Sequence, residues 1–137
     1  MVATKRVRSS KLAKACAAMQ AARLVWHAEM TADEVRGVVG VIGGYNEFDP
    51  AKARALVDGI EAAMAAIPGN PVRHAFMFGR EYSPCLYVSV TKRVVGEEVD
   101  FAALAERLKG LGEDAKADEA WVDRETRLRW EFRWFWD

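Results

Sequence analysis

The chain has 137 residues, 51% of them hydrophobic and 29% charged, a length and balance that support one domain with one core. Twenty basic and twenty acidic residues cancel, which excludes a uniformly basic nucleic-acid coat and a uniformly acidic tail. No apolar run approaches the roughly 18 residues of a membrane span, and four Pro and ten Gly are too few for a disordered or fibrous chain.

The zero balance hides an asymmetry. Residues 1–27 hold Lys5, Arg6, Arg8, Lys11, Lys14 and Arg23 and no Asp or Glu, which leaves fourteen basic against twenty acidic residues, a balance of −6, for the remainder. A basic arm on an acidic body can meet an anionic partner or the body itself. The arm is basic, Ser-containing and acid-free, as mitochondrial-type presequences are. Lys11 and Lys14 interrupt the apolar stretch a secretory signal needs. Beyond the arm, an apolar stripe predicts an ordered helix and not a cleaved leader.

That helix is expected over 9–30. Ser9 or Ser10 caps it, and Leu12, Cys16, Met19, Trp26 and Met30 share one face, together with Arg23. A capping box, Thr31 with Glu34, then opens a second helix with the stripe Val35, Val38, Val39 and Ile42, ended by Gly43-Gly44. Gly37 and Gly40 inside it each cost about 1 kcal/mol relative to Ala, which predicts a close backbone approach to the Ala-rich first helix. Asp49-Pro50 starts a third helix, with Ala53, Leu56, Val57, Ile60, Met64 and Ile67 on one face and Pro68-Gly69 as its stop.

Alternation then replaces the helical period. Strands are predicted over 72–79 and 85–92, joined by a hairpin loop at Arg80–Pro84. Asp100 caps a helix bearing Phe101, Leu104, Ala105, Leu108 and Leu111, which Gly110 or Gly112 is expected to end. Further strands follow at about 118–123 and 126–136. The expected fold is α+β: three N-terminal helices followed by a ββαββ unit with a four-stranded, mainly antiparallel sheet. The expected organisation is a single domain over 1–137, with a basic arm at 1–8, a helical part at 9–67 and a sheet part at 71–137.

Chemical motifs are sparse. The Gly-rich run 37–44 has no Lys after it and lies in a helical pattern, so it reads as packing and not as a phosphate loop. His27 and His74 have no ligand spacing around them, and no metal is expected. Cys16 and Cys85 form no CxxC and read as two small buried thiols. Cys16 and His27 would be about 16 Å apart along one helix, and His74 and Cys85 fall at opposite ends of a hairpin. The acidic clusters Glu97-Glu98-Asp100 and Glu113-Asp114-Asp118-Glu119 sit in loops and at helix ends and read as solvated surface. No cofactor is expected.

The last strand is the most informative. Leu128, Trp130, Phe132, Trp134 and Trp136 alternate with Arg127, Arg129, Glu131, Arg133 and Phe135, so the two rows face opposite ways. Leu128 to Phe132 read as core. The aromatics at 134–136 lie near the chain end and are expected at the rim, as an anchor for a partner. Interleaved arginines and aromatics also suggest a nucleic-acid sheet, but here they occupy opposite faces. A helix-turn-helix across 43–49 would need an unusually long turn.

The expectation is therefore a small, cytoplasmic, non-catalytic protein that binds a protein or nucleoprotein partner. An accessory or inhibitor protein of a phage or mobile element, directed at a host nucleoprotein, is the analogous case. The expected partner-binding residues are Lys5, Arg6, Arg8, Lys11, Lys14, Arg127, Arg129, Arg133, Trp134 and Trp136. Homodimer formation, and direct nucleic-acid binding through the basic arm, remain open. A small-molecule-binding domain or enzyme is the third reading, and a deep pocket enclosing His74, Cys85 or Tyr87 beside a carboxylate would favour it. No membrane association is expected.

Overall fold

The computed structural model of the protein describes residues 29–42, 47–68, 72–79, 84–92 and 99–136. The described chain is α+β, with a four-stranded antiparallel sheet and three helices in the order α1 (Ala32–Ile42), α2 (Pro50–Ala65), β1 (Val72–Phe78), β2 (Cys85–Lys92), α3 (Phe101–Asp114), β3 (Glu119–Glu125) and β4 (Arg129–Phe135). The helices are not all N-terminal, because α3 lies between β2 and β3. No helix among the described residues is long and apolar enough to cross a membrane.

Each helix starts where a side chain satisfies its free amides. Before α1, the Glu34 amide donates to the Thr31 hydroxyl at 3.2 Å and the Thr31 amide donates to the Glu34 carboxylate at 2.9 Å, a reciprocal capping box. Asp49 accepts from the Ala51 amide ahead of Pro50, and Asp100 accepts from the Ala103 amide ahead of α3.

The predicted helix over 9–30 lies outside the described residues, apart from its last two, Glu29 and Met30. Met30 is not helical. Its amide donates to the Phe76 carbonyl at 2.7 Å and its carbonyl accepts from the Phe76 amide at 2.9 Å, an antiparallel bridge on β1. The cap at Thr31 explains the correction: the chain enters a capped helix from extended backbone.

The sheet order is β1-β2-β4-β3. In register, Phe76 faces Val88 and Val88 faces Phe132. These residues belong to the first face of the sheet, which carries Val72, Phe76, Phe78, Leu86, Val88, Val90, Trp130, Phe132 and Trp134. They form one core with the buried faces of α1, α2 and α3. The second face carries Met77, Cys85, Tyr87, Ser89, Glu131, Arg133 and Phe135.

A close approach of backbone falls on α3, while the approach expected of Gly37 and Gly40 involves a first helix that lies outside the described residues. A β-carbon on Gly112 would lie 2.7 Å from Trp134 Cδ1 and 2.9 Å from its Nε1. The bare backbone there lets the Trp134 indole donate to the Leu108 carbonyl at 3.1 Å, while the Trp136 indole donates to the Ala115 carbonyl at 3.1 Å. Among the described residues, a β-carbon on Gly40 would meet the Arg54 guanidinium at ordinary contact distance, 3.8 Å. Nor does Gly110 or Gly112 end the helix. It runs to Asp114 and closes with Lys116 at φ 64°, the Lys116 amide donating to Glu113 O and the Ala117 amide to Gly112 O. That is a Schellman closure with lysine where glycine is usual.

Candidate interaction surface

The expected partner-binding residues separate by depth. Trp134 and Trp136 are fully buried among first-face side chains, Trp136 packing edge-on against Phe48 with ring centroids 5.1 Å apart. Their indole N–H groups are spent on α3, so the expected exposed anchor at the chain end is corrected to core. The sheet continues to Phe135, and α3 lies over the strand end. Sequence position near a terminus misled here, because the last strand is also an inner one.

Arg129 and Arg133 lie on the other side and are engaged. Arg133 stacks over the Trp121 ring at 4.3 Å and sits 5.7 Å from the Phe135 centroid, with Asp123 at 3.9 Å. Its Nε is buried and has no hydrogen-bond partner among the described residues. Arg129 pairs with Glu131 at 3.6 Å and with Glu29 at 3.8 Å. Only Arg127 of the three is exposed. Lys5, Arg6, Arg8, Lys11 and Lys14 lie outside the described residues.

A surface the sequence reading left unremarked is the tip of the β3–β4 hairpin. Leu128 there is 56% exposed; the other exposed large hydrophobic among the described residues, Val122 at 37%, lies within β3 opposite Phe132. The tip is held firmly. The Thr126 hydroxyl accepts from the Leu128 and Arg129 amides at 3.3 and 3.0 Å, and the Thr126 amide donates to Arg129 O at 2.7 Å. From β2, the Lys92 amide donates to Leu128 O at 2.9 Å, and Lys92 Nζ donates to Thr126 O at 2.9 Å and to Glu125 at 3.2 Å. A Thr at the start of such a turn ties down its own following amides. The result is an apolar side chain presented on fixed backbone, with exposed Arg127 preceding it in the chain. The signal in the sequence was Leu128 itself, assigned to the core because it continues the aromatic alternation past the end of the strand.

The groups that would favour small-molecule chemistry do not converge. His74 lies on the first face, against Phe76, whereas Cys85 and Tyr87 lie on the second, so the sheet separates them. His74 shares an open groove with Glu61, Met64 and Val72. Burial pulls its imidazole below the ordinary histidine range, only partly opposed by the Glu61 charge. Burial pushes the Tyr87 hydroxyl well above its ordinary value, and the neighbouring Cys85 adds to the effect. No three His, Cys, Asp or Glu side chains gather in a metal-binding group among the described residues.

Compared with known proteins, the chain matches no family model, no curated protein and no solved structure.

Proposed function

We propose that this is a small, non-catalytic interaction protein of the cytoplasm, of accessory or inhibitor type, that binds a protein or nucleoprotein partner through the β3–β4 hairpin tip. The observation that carries this reading is Leu128, more than half exposed on a turn fixed by hydrogen bonds of Thr126 with the amides that follow it and of Lys92 from β2. An apolar side chain held in water on rigid backbone loses little conformational entropy on binding, and that is how an interface anchor gains affinity. Exposed Arg127, its neighbour in the chain, suits an acidic group on the partner.

The test is capture from a host lysate, with and without nuclease, by the parent chain and by Leu128→Asp. Loss of the captured protein with Leu128→Asp, independent of nuclease, supports the reading. Capture unaffected by the substitution sinks it. Sedimentation of both proteins separates a second copy of the chain from a foreign partner.

Direct nucleic-acid binding through Lys5, Arg6, Arg8, Lys11 and Lys14 is the second reading, supported by the acid-free composition of 1–27. Each phosphate neutralised contributes about −0.9 to the slope of log K against log salt on duplex DNA. Alanine at those five positions would then flatten the slope by several units, while Leu128→Asp would leave it unchanged.

A further inference from the structure

We propose that the outer edge of β1 at Val72 and His74, with the groove beside it, takes up an extended segment of a partner protein that carries a lysine or arginine. Main-chain direction, shape and charge each support this.

The main-chain direction follows from one bridge. The Phe76 amide and carbonyl both bond to Met30, at 2.9 and 2.7 Å, and so point away from β2. In an antiparallel ladder the direction alternates along the strand. Arg73, Ala75 and Met77 therefore turn their polar groups toward β2, whereas Val72 and His74 turn theirs outward, as Phe76 does. Gly79 fits the same phase, its amide donating to Cys85 O at 2.9 Å. The chain that bridges Phe76 leaves the edge before it passes His74. Ala32, which a continued ladder would set opposite His74, is the first residue of α1, and the Thr31 carbonyl accepts from the Val35 amide. Among the described residues nothing bonds to the outward amides and carbonyls of Val72 and His74. Such an edge accepts an added strand. The opposite edge is guarded: β3 slips register between Val122 and Arg124 and exposes Glu119, Asp123, Arg124 and Glu125.

The shape is an open groove of about 470 Å³ on the first face, between β1 and the last turns of α2. Ala62, Met64, Ala65 and Val72 line it, with Glu61 and His74. An incoming residue paired with His74 turns its side chain to the same face as His74, into this groove. Arg73 points to the other face.

The charge selects the side chain. Asp33, Asp58 and Glu61 share the one guanidinium of Arg36, three carboxylates to one cation. Glu61 gives one oxygen to Arg36 at 2.7 Å, and the other has no hydrogen bond among the described residues. A lysine or arginine matches the groove, its apolar stem against Met64 and Ala65 and its cation at Glu61.

The test begins with amide hydrogen exchange on the full chain. The His74 amide should exchange fast and the Phe76 amide slowly. Protection of His74 equal to that of Phe76 shows an edge already covered, by the chain itself or, where protection rises with concentration, by a second copy, and overturns the proposal. The probe is then the peptide acetyl-Thr-Val-Lys-Val-Thr-amide, followed by amide shifts. Shifts should centre on Val72, His74, Ala62 and Ala65. Methylating the lysine's own main-chain nitrogen, replacing lysine by glutamate, or Ala65→Arg in the groove should each abolish them. Glu61→Gln should weaken affinity about fivefold, the upper end for an exposed ion pair. Leu128→Asp should change nothing, which separates this edge from the hairpin tip. No shifts at millimolar peptide, shifts centred on β3, or binding indifferent to the methyl group overturns the proposal.

Discussion

The Trp134 indole occupies the space that a β-carbon on Gly112 would need, its Cδ1 lying 2.7 Å from that position. Contact that tight leaves α3 no freedom to drift along β4, and the Trp134 bond to the Leu108 carbonyl sets the depth. Gly112→Ala should therefore destabilise. The overpacking cost of about 1–3 kcal/mol outweighs the roughly 1 kcal/mol that Ala gains over Gly in a helix. Gly110→Ala, two residues away with nothing among the described residues within 4 Å of the added carbon, should stabilise by up to about 1 kcal/mol. Urea unfolding of the two variants gives opposite signs if this account holds, and equal signs refute it.

Trp136→Ala should destabilise on the same scale as Trp130→Ala, about 3–5 kcal/mol each. Both rings are essentially buried, and Trp136 also satisfies the Ala115 carbonyl at the end of α3. A Trp136→Ala protein that melts within a few degrees of the parent would restore the rim position expected from the sequence.

His74 predicts acid sensitivity. Its folded pKa lies below the ordinary value because burial penalises the imidazolium. Below about pH 6.5 the unfolded chain binds a proton that the folded chain refuses, so this contribution falls as pH drops through that value and is flat above it. His74→Gln should show a shallower loss of stability between about pH 7 and pH 5.5 than the parent. Parallel curves would remove His74 from the account.

Arg36 joins α1 to α2. Its guanidinium donates to Asp58 at 2.6 and 2.9 Å, to Glu61 at 2.7 Å and to Asp33 at 2.9 Å, which holds its pKa above the ordinary range. The acidic partners are largely solvated, so Arg36→Ala should cost only about 0.5–1 kcal/mol, less in high salt. Lysine should not rescue it fully, because one ammonium cannot reproduce the forked geometry. An effect of the same size at low and high salt would point to packing of the side-chain stem instead.

Elements announced by local chemistry were legible in the sequence: the Thr31–Glu34 box, the Asp49-Pro50 start, the Asp100 cap and the alternation in β1 and β2 all lie where side-chain pattern alone placed them. What was not legible depended on partners distant in sequence. Met30 reads as a helical position until Phe76 claims its backbone. Gly112 reads as a stop signal until Trp134 is seen against it, and Lys116 does the stopping in a conformation its type seldom adopts. Leu128 continues an apolar alternation that the backbone has already left, and Trp136 looks terminal although it packs beneath α3. The hairpin tip was missed for that reason, since nothing in the local pattern separates Leu128 from the core residues that follow it.

The ladder between β2 and β4 joins residues distant in sequence, from Thr91 with Arg129 to Cys85 with Phe135, whereas β1–β2 and β3–β4 are closed by short connections. Hairpins of that local kind form in about 1–10 μs, and pairings across long intervening loops lag behind them. The last event in building the sheet is then the zipping of two preformed hairpins. Until it happens, β4 offers an unpaired edge bearing Trp130, Phe132 and Trp134. At high concentration the same edge can be met by β2 of another molecule, so refolding yield should fall with protein concentration while the native chain, its seam closed, is indifferent to it.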